Sequence, residues 1–319
     1  AVIDTVSQAQ ILYWQHYNAL ANLEVQKKSL ELAQESMAEI EEKIAIGSSP
    51  RIDLLSSKSE VASREEGVIA AENEVHNSRD ELLYYIHGKI PNDVEIICRD
   101  KPSFKQEQYN EKILTEYALE NRTDYLTKKI QLDSAGIDKK YFKNQRMPQL
   151  DLTGVIGVND GSTDDEEMSQ FQSSDYSDYQ YGMLTLSLEL PIGSRRDKAN
   201  YSSAVIKRRQ AAIEAEKARS LIGLEVRTAL RDLRSAHKRY QAAHLAGQYA
   251  MESLKTEQEK LANGLSTSYQ LLLHQRDFAD AKTAEVEAVV GYQKAVITLH
   301  STLGSTLEEH NIQINGEQL

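Results

Sequence analysis

Residues that interrupt helices are scarce. The 319 residues include 15 glycines and 5 prolines, about 6% together and roughly half the usual combined share. Proline falls only at Pro50, Pro91, Pro102, Pro148 and Pro191, so the 128 residues from Ile192 onward contain none to stop a helix. That excludes a compact α/β enzyme built from short elements. Cysteine is limited to Cys98, which excludes an intramolecular disulfide framework and a cysteine-rich metal site. Basic charge is short: 37 Lys and Arg against 49 Asp and Glu leave a net charge of −12. No long Lys/Arg block offsets it, so nucleic acid is not an expected partner. Mean hydropathy is −0.54, and no apolar run approaches the roughly 18 to 20 residues of a membrane-spanning helix. A transmembrane β-hairpin stays open, because its signal is only alternation over about ten residues. The start, Ala1-Val2-Ile3-Asp4, has neither a basic n-region nor an apolar h-region, so any signal peptide is expected to have been removed or to lie upstream.

What is present is period seven. Leu23, Leu30, Met37 and Ile44 form one row, with Ala33 and Ile40 interleaved, which predicts a coiled-coil seam. The row stops at Ile46-Gly47-Ser48-Ser49-Pro50, where Gly suits a helix C-cap and Pro a new helix start. A return helix carries Leu54, Val61, Val68, Val75 and Leu82 and ends near Gly88. A connector follows, with two prolines and one short strand expected at Val94-Glu95-Ile96-Ile97. A short helix is predicted over 111–120. Asn121-Arg122-Thr123-Asp124 then caps a further helix that runs to about Arg146.

After Pro148 the period becomes two. Leu150, Leu152, Ile156 and Val158, and then Leu184, Leu186, Leu188 and Leu190, alternate with smaller or polar residues, giving two amphipathic strands of about ten residues. A polar segment rich in Asp, Glu, Ser and Gly separates them. Beyond Pro191 a helical pattern runs from about Arg195 to Asn263, about 100 Å at 1.5 Å per residue. Its seven-residue row is Val226, Leu233, Tyr240, Gly247, Leu254 and Leu261.

A shift of 217 residues superposes the two helical hairpins without a gap: Gly47 falls on Gly264, Ser49 on Ser266, Leu54-Leu55 on Leu271-Leu272, and Glu42-Lys43 on Glu259-Lys260. This is an internal duplication. The return rows also match, with Glu285, in the position of Val68, the one polar exception. If the second unit begins near Ala118, about 100 residues of the first unit, including a first β-hairpin, are expected upstream of Ala1.

The order of these features resembles the TolC-type outer-membrane efflux factor family. Ala118-Leu119 with Arg122-Thr123-Asp124 is similar to the family's Ala-Leu and Arg-Pro-Asp-Leu segment, with Thr123 in place of proline. Met147-Pro148-Gln149-Leu150 is similar to its entry into a strand, Leu188-Glu189-Leu190-Pro191 to the exit, and Asn263-Gly264-Leu265-Ser266 to a periplasmic tip. The resemblance implies a mainly α fold with one β-hairpin: long coiled-coil helical hairpins forming an α-barrel tunnel, plus strands of a trimeric transmembrane β-barrel. It divides the chain into the first helical hairpin (1–88), a connector (89–117), a second repeat (118–304) and a tail (305–319). It implies a homotrimer in the outer membrane and periplasm of a Gram-negative bacterium, serving as the exit duct of an efflux pump or a type I secretion system. The partners would be a periplasmic adaptor, an inner-membrane transporter and outer-membrane lipid. One hairpin per chain would give three copies only six strands, too few to close such a barrel.

Carried over position by position, the docking tips would be Gly47, Ser48 and Ser49 with Gly264, Leu265 and Ser266, although Gly and Ser also serve simply to make a tight turn. Asp53 and Gln270 occupy possible gate positions. Leu150, Leu152, Ile156, Val158, Leu184, Leu186, Leu188 and Leu190 would face lipid. No cofactor, metal or catalytic residue is expected. His237 and His244 share a helix face, but no spaced Cys or carboxylate completes a site, and surface histidines are the simpler reading. Asp164-Asp165-Glu166-Glu167 matches no calcium loop and reads as solvated. Nothing resembles a nucleophile with its base or a phosphate loop, so an enzyme is not expected. The alternative is a soluble coiled-coil rod, which would have no reason to contain two lipid-ready strands.

Overall fold

A computed structural model describes residues 2–47, 50–90, 94, 96–100, 102, 104, 109–159 and 179–312, with backbone alone at 158, 159 and 179. The elements are α1 (Val2–Ala45), α2 (Arg51–His87), α3 (Glu111–Asn121), α4 (Thr123–Asn144), β1 (Gln149–Asn159), β2 (Tyr179–Glu189), α5 (Arg195–Ala262), α6 (Ser268–Leu303) and α7 (Thr306–Glu309). The chain is mainly helical with one antiparallel hairpin, as the change of period predicts. No described helix is long and apolar enough to cross a membrane. Val94, Ile96 and Ile97 lie in no strand, contrary to the sequence expectation. Two compact units divide the chain, residues 1–126 with 219–319, and residues 127–218.

The first unit is built from antiparallel helical hairpins. α1 pairs with α2, and α6 lies along α1. The deepest apolar residues on α1 are Leu12, Ala19, Ala33 and Ile40, so Ala33 and Ile40 of the expected seam are core, whereas its row of Leu23, Leu30, Met37 and Ile44 is only half-buried. The seven-residue period holds, and the core follows the row of Ala33 and Ile40 rather than that of Leu23 and Leu30, because α1 is covered by both α2 and α6 and its apolar arc is wider than a two-helix seam. On α5 four of the six residues of the predicted row, Val226, Leu233, Gly247 and Leu254, are buried, whereas Tyr240 and Leu261 are half-buried. Ala118 of α3 joins Ile222, Val226, Leu230, Leu299 and Leu303 in one cluster. Phe104 stacks on Tyr240 with ring centroids 3.7 Å apart.

In the second unit β1 and β2 pair from Gln149↔Glu189 to Asn159↔Tyr179. Arg146 lies over the Tyr201 ring, 5.0 Å from its centroid.

Candidate functional site

Register decides what the hairpin presents. Because Leu150 pairs with Leu188 and Leu152 with Leu186, even-numbered residues of both strands share a face, which carries Leu150, Leu152, Ile156, Leu184, Leu186 and Leu188. All six are exposed, Ile156 at 90% and Leu184 at 76%. The other face carries Asp151, Thr153, Thr185, Ser187 and Glu189, with Val155 paired to Met183. Eleven residues at about 3.4 Å each, tilted by about 45°, project to about 26 Å, close to the apolar band of an outer-membrane barrel. Leu190, expected in the strand, lies one residue past β2 and is exposed. Val158 sits in β1 opposite Gln180, and its side chain lies outside the described residues. The acidic run 164–167 also lies outside them.

The two hairpin tips close alike. Gly47 has φ +76° and Gly264 φ +73°, the left-handed region that glycine enters without a Cβ penalty. At the second tip Leu265 N–H donates to the Lys260 carbonyl at 2.9 Å and Gly264 N–H to Leu261 at 3.1 Å, a Schellman closure. At the first, Gly47 N–H donates to Ile44 at 3.0 Å; Ser48 and Ser49 lie outside the described residues. Thr267 Oγ1 then accepts from Gln270 N–H at 3.3 Å to start α6, while at the equivalent place Pro50 supplies only its carbonyl, to Asp53 N–H at 3.1 Å. Leu265 is 78% exposed and Ile46 80%. Gln270 is exposed and Asp53 half-buried.

The tips differ beneath the turn. Ser266 Oγ donates to the carboxylate of Glu257, which is buried and also accepts from Lys260 Nζ at 3.1 Å. His274 lies 3.9 Å away. Hydrogen bonds from Ser266 and Lys260 hold the Glu257 carboxyl below its usual range. The repeat puts Ile40 where Glu257 stands and Ser57 where His274 stands, both buried. Glu257 escaped the sequence reading, although the 217-residue shift exposes it as a carboxylate on an apolar position.

Higher in the same hairpin is the other polar exception. Glu285 accepts from Lys282 at 2.8 Å and contacts His244 Nδ1 at 2.6 Å, and Gly247 across the seam leaves room for it. Burial raises the Glu285 pKa, but hydrogen bonds from Lys282 and His244 outweigh it, and the net shift is downward. His244 therefore does have a carboxylate partner, unlike the expectation, but His237 contacts Gln241 instead, and no cluster among the described residues could hold a metal ion.

A further hub is Arg122, whose guanidinium binds Asp124 at 2.7 Å, Glu225, and the Thr302 carbonyl at 3.3 Å. It ties the start of α4 to α5 and the end of α6. The segment 118–124, singled out for its resemblance, thus contributes a core residue, Ala118, and this arginine.

Comparison with known proteins agrees with this geometry. The family model described as outer membrane efflux protein matches residues 114–305. Comparison with curated proteins returns no match. Among solved structures, a membrane protein from Pseudomonas aeruginosa is similar at TM-score 0.71 and 20% identity, over 95% of this chain and 68% of that one. The outer membrane protein VceC of Vibrio cholerae is similar at TM-score 0.70 and 16% identity, over 95% and 70%. The open-state MtrE outer membrane channel of Neisseria gonorrhoeae is similar at TM-score 0.65 and 20% identity, over 96% and 68%. At these identities the likeness is one of fold.

Proposed function

The chain belongs to the outer membrane efflux protein family, and from that premise we propose that it is one protomer of a trimeric, passive exit duct. Its work is efflux across the outer membrane and periplasm of a Gram-negative bacterium. The soluble-rod alternative draws no support from the family or the fold. In the duct, the hairpin lies in the barrel wall with its even-numbered leucines toward lipid, and the helical hairpins line the periplasmic tunnel. Gly47, Ser48 and Ser49 with Gly264, Leu265 and Ser266 dock a periplasmic adaptor, which joins the duct to an inner-membrane transporter. Energy comes from that partner, and opening is a movement of the tips past Asp53 and Gln270. The cargo passes without chemistry.

One observation carries this reading: a register that puts six bare apolar side chains on one face and gathers Asp151, Thr153, Thr185, Ser187 and Glu189 on the other, beside Val155 and Met183. A soluble hairpin with that face would be an aggregation site, whereas lipid covers it without cost. The test is arginine scanning of the hairpin in cells, read as the amount of chain recovered in the outer membrane. Leu186→Arg lies on the lipid face and Thr185→Arg on the other. At mid-bilayer depth the first costs about 2–4 kcal/mol and the second far less, so only the first should deplete the outer-membrane fraction. Equal tolerance of both would overturn the barrel assignment. For the tips, single cysteines at Ser49 and Ser266 should cross-link to the adaptor, and no adduct at either would remove the docking role.

A further inference from the structure

Between each helix and strand of the second unit the chain turns tightly. Met147 N–H donates to the Asn144 carbonyl at 2.8 Å and Ile192 N–H to the Leu190 carbonyl at 2.9 Å, so the end of α4 and the start of α5 stay beside the paired residues Gln149 and Glu189. Arg146 over the Tyr201 ring brings the two helix ends to one level. At that level the charge is lopsided. Residues 140–146 and 195–198 carry six basic side chains, Lys140, Lys143, Arg146, Arg195, Arg196 and Lys198, against one acidic, Asp197, in a chain whose net charge is −12. All six are exposed, and none forms an ion pair among the described residues. At the other end of the hairpin the intervening residues, 160–178, have the opposite composition, seven acidic and no basic. Local helix electrostatics do not account for the cations on α5: Arg195, Arg196 and Lys198 stand at the positive end of the helix dipole, where basic side chains are disfavoured. The bare cations also adjoin bare apolar side chains. Met147 and Ile192, in the connections to the strands, and Leu190, one residue past β2, are exposed, Ile192 at 92%. At 1.5 Å per residue, Lys140 lies about 6 Å from the last residue of α4 and Lys198 about 4.5 Å from the first of α5. The basic layer is therefore about as deep as the headgroup region on one side of a bilayer, about 5–8 Å.

We propose that these six residues form a basic collar at the periplasmic edge of the barrel wall, which binds the phosphate headgroups of the leaflet meeting it and prefers anionic phospholipid. The proposal rests on the membrane-barrel reading and names the lipid chemistry taken at the helical end of the hairpin. Once the leucines lie in hydrocarbon, the two connections stand at the interface. The stems of Lys and Arg then run along the apolar boundary while their charged heads reach the phosphate layer. The guanidinium groups of Arg146, Arg195 and Arg196 each match a phosphate through two parallel N–H donors. A phosphate beside Arg195, Arg196 and Lys198 also offsets the crowding of three cations at a positive helix end. A zwitterionic headgroup carries the same phosphate but answers it with a cation of its own, so the net charge of the lipid decides how tightly the collar holds it. Held in this way, the collar fixes the depth at which the hairpin sits.

The test uses the full-length protein, purified in detergent and reconstituted in phosphatidylethanolamine vesicles with a trace of spin-labelled phosphatidylglycerol or, in parallel, spin-labelled phosphatidylcholine. The motionally restricted fraction reports lipid held at the protein surface, and restricted phosphatidylcholine confirms that each variant has inserted. Phosphatidylglycerol should be preferred about fivefold, the worth of one basic side chain near an anionic surface, and the preference should fade as salt rises. Arg195→Gln, Arg196→Gln and Lys198→Gln together should bring it most of the way to parity, whereas Arg195→Lys with Arg196→Lys should keep it. Lys238→Gln, Arg239→Gln and Lys255→Gln remove the same charge further along α5 and should leave it unchanged. No preference in the unsubstituted protein, a preference that survives loss of the three α5 cations, or an equal loss in the control triple would overturn the collar and leave the barrel standing. A protein that restricts neither lipid would overturn the barrel reading along with the collar.

Discussion

In the second hairpin Gly247 and Glu285 occupy positions held in the first by Leu30 and Val68, so importing the first pair tests whether glycine is there to make room for the carboxylate. A Cβ built on Gly247 would come within 2.8 Å of Glu285 Oε2. Gly247→Leu alone must therefore push Glu285 off His244 and Lys282. It gains somewhat under 1 kcal/mol of helix propensity but incurs overpacking of about 1–3 kcal/mol, for a net loss of about 1 kcal/mol. Glu285→Val alone gives up two partly exposed polar contacts, about 0.5–1 kcal/mol each, and leaves a gap facing glycine. Together the substitutions bury a leucine against a valine, about 1.5–3 kcal/mol for each side chain, and should stabilise the hairpin by about 2 kcal/mol. Set against the losses in the two single variants, a gain of that size implies a coupling between the sites of about 4–5 kcal/mol, above the usual range of about 0.5–3 kcal/mol for side chains in contact. Guanidinium denaturation of the four variants, followed by helical circular dichroism, measures it. Additivity within about 0.5 kcal/mol would refute the idea that the two positions exchanged volume.

Arg122→Ala should cost about 2–3 kcal/mol, because Glu225 and the Thr302 carbonyl lose a charged donor; Arg122→Lys should recover little of it, since one ammonium cannot reach three partners. Denaturation midpoints of the two variants check this. The Glu308 carboxylate, accepting from the Tyr117 hydroxyl, pushes the Tyr117 pKa up to about 12. The stability this contributes is fully present below the unfolded tyrosine value near 10 and is lost as pH rises through about 12. Tyr117→Phe should flatten that part of the alkaline stability profile. Gly47→Ala and Gly264→Ala should each cost about 1–2 kcal/mol, since both φ values are positive and no neighbour within 4 Å would meet the new Cβ. The two costs should add, and a thermal-melt comparison of the single and double variants decides it.

Much of the fold was legible because period is a local property. The shortage of glycine and proline, the seven-residue rows and the switch to alternation at Pro148 gave the helical hairpins and the strand pair in order, and the repeat located both tips. Where the reading slipped, the cause was non-local. On α1 the core follows Ala19, Ala33 and Ile40 rather than Leu23 and Leu30, because α6 covers a second side of the helix. The strand expected at residues 94–97 did not form among the described residues, and a short apolar run does not specify a strand without a partner.

Alternation and repetition are written along the chain, so the sequence by itself determined the element types, their order, the tips and the apolar character of the hairpin. Only the tertiary structure decided which residues meet: the register that collects the leucines on one face, Arg122 reaching Glu225 and Thr302, and Ser266 held by Glu257 under one tip. Those are contacts between residues tens to hundreds of positions apart, or register choices across an antiparallel pair. Burial and pairing at that range follow from how whole helices and strands pack, which no window of neighbouring residues encodes.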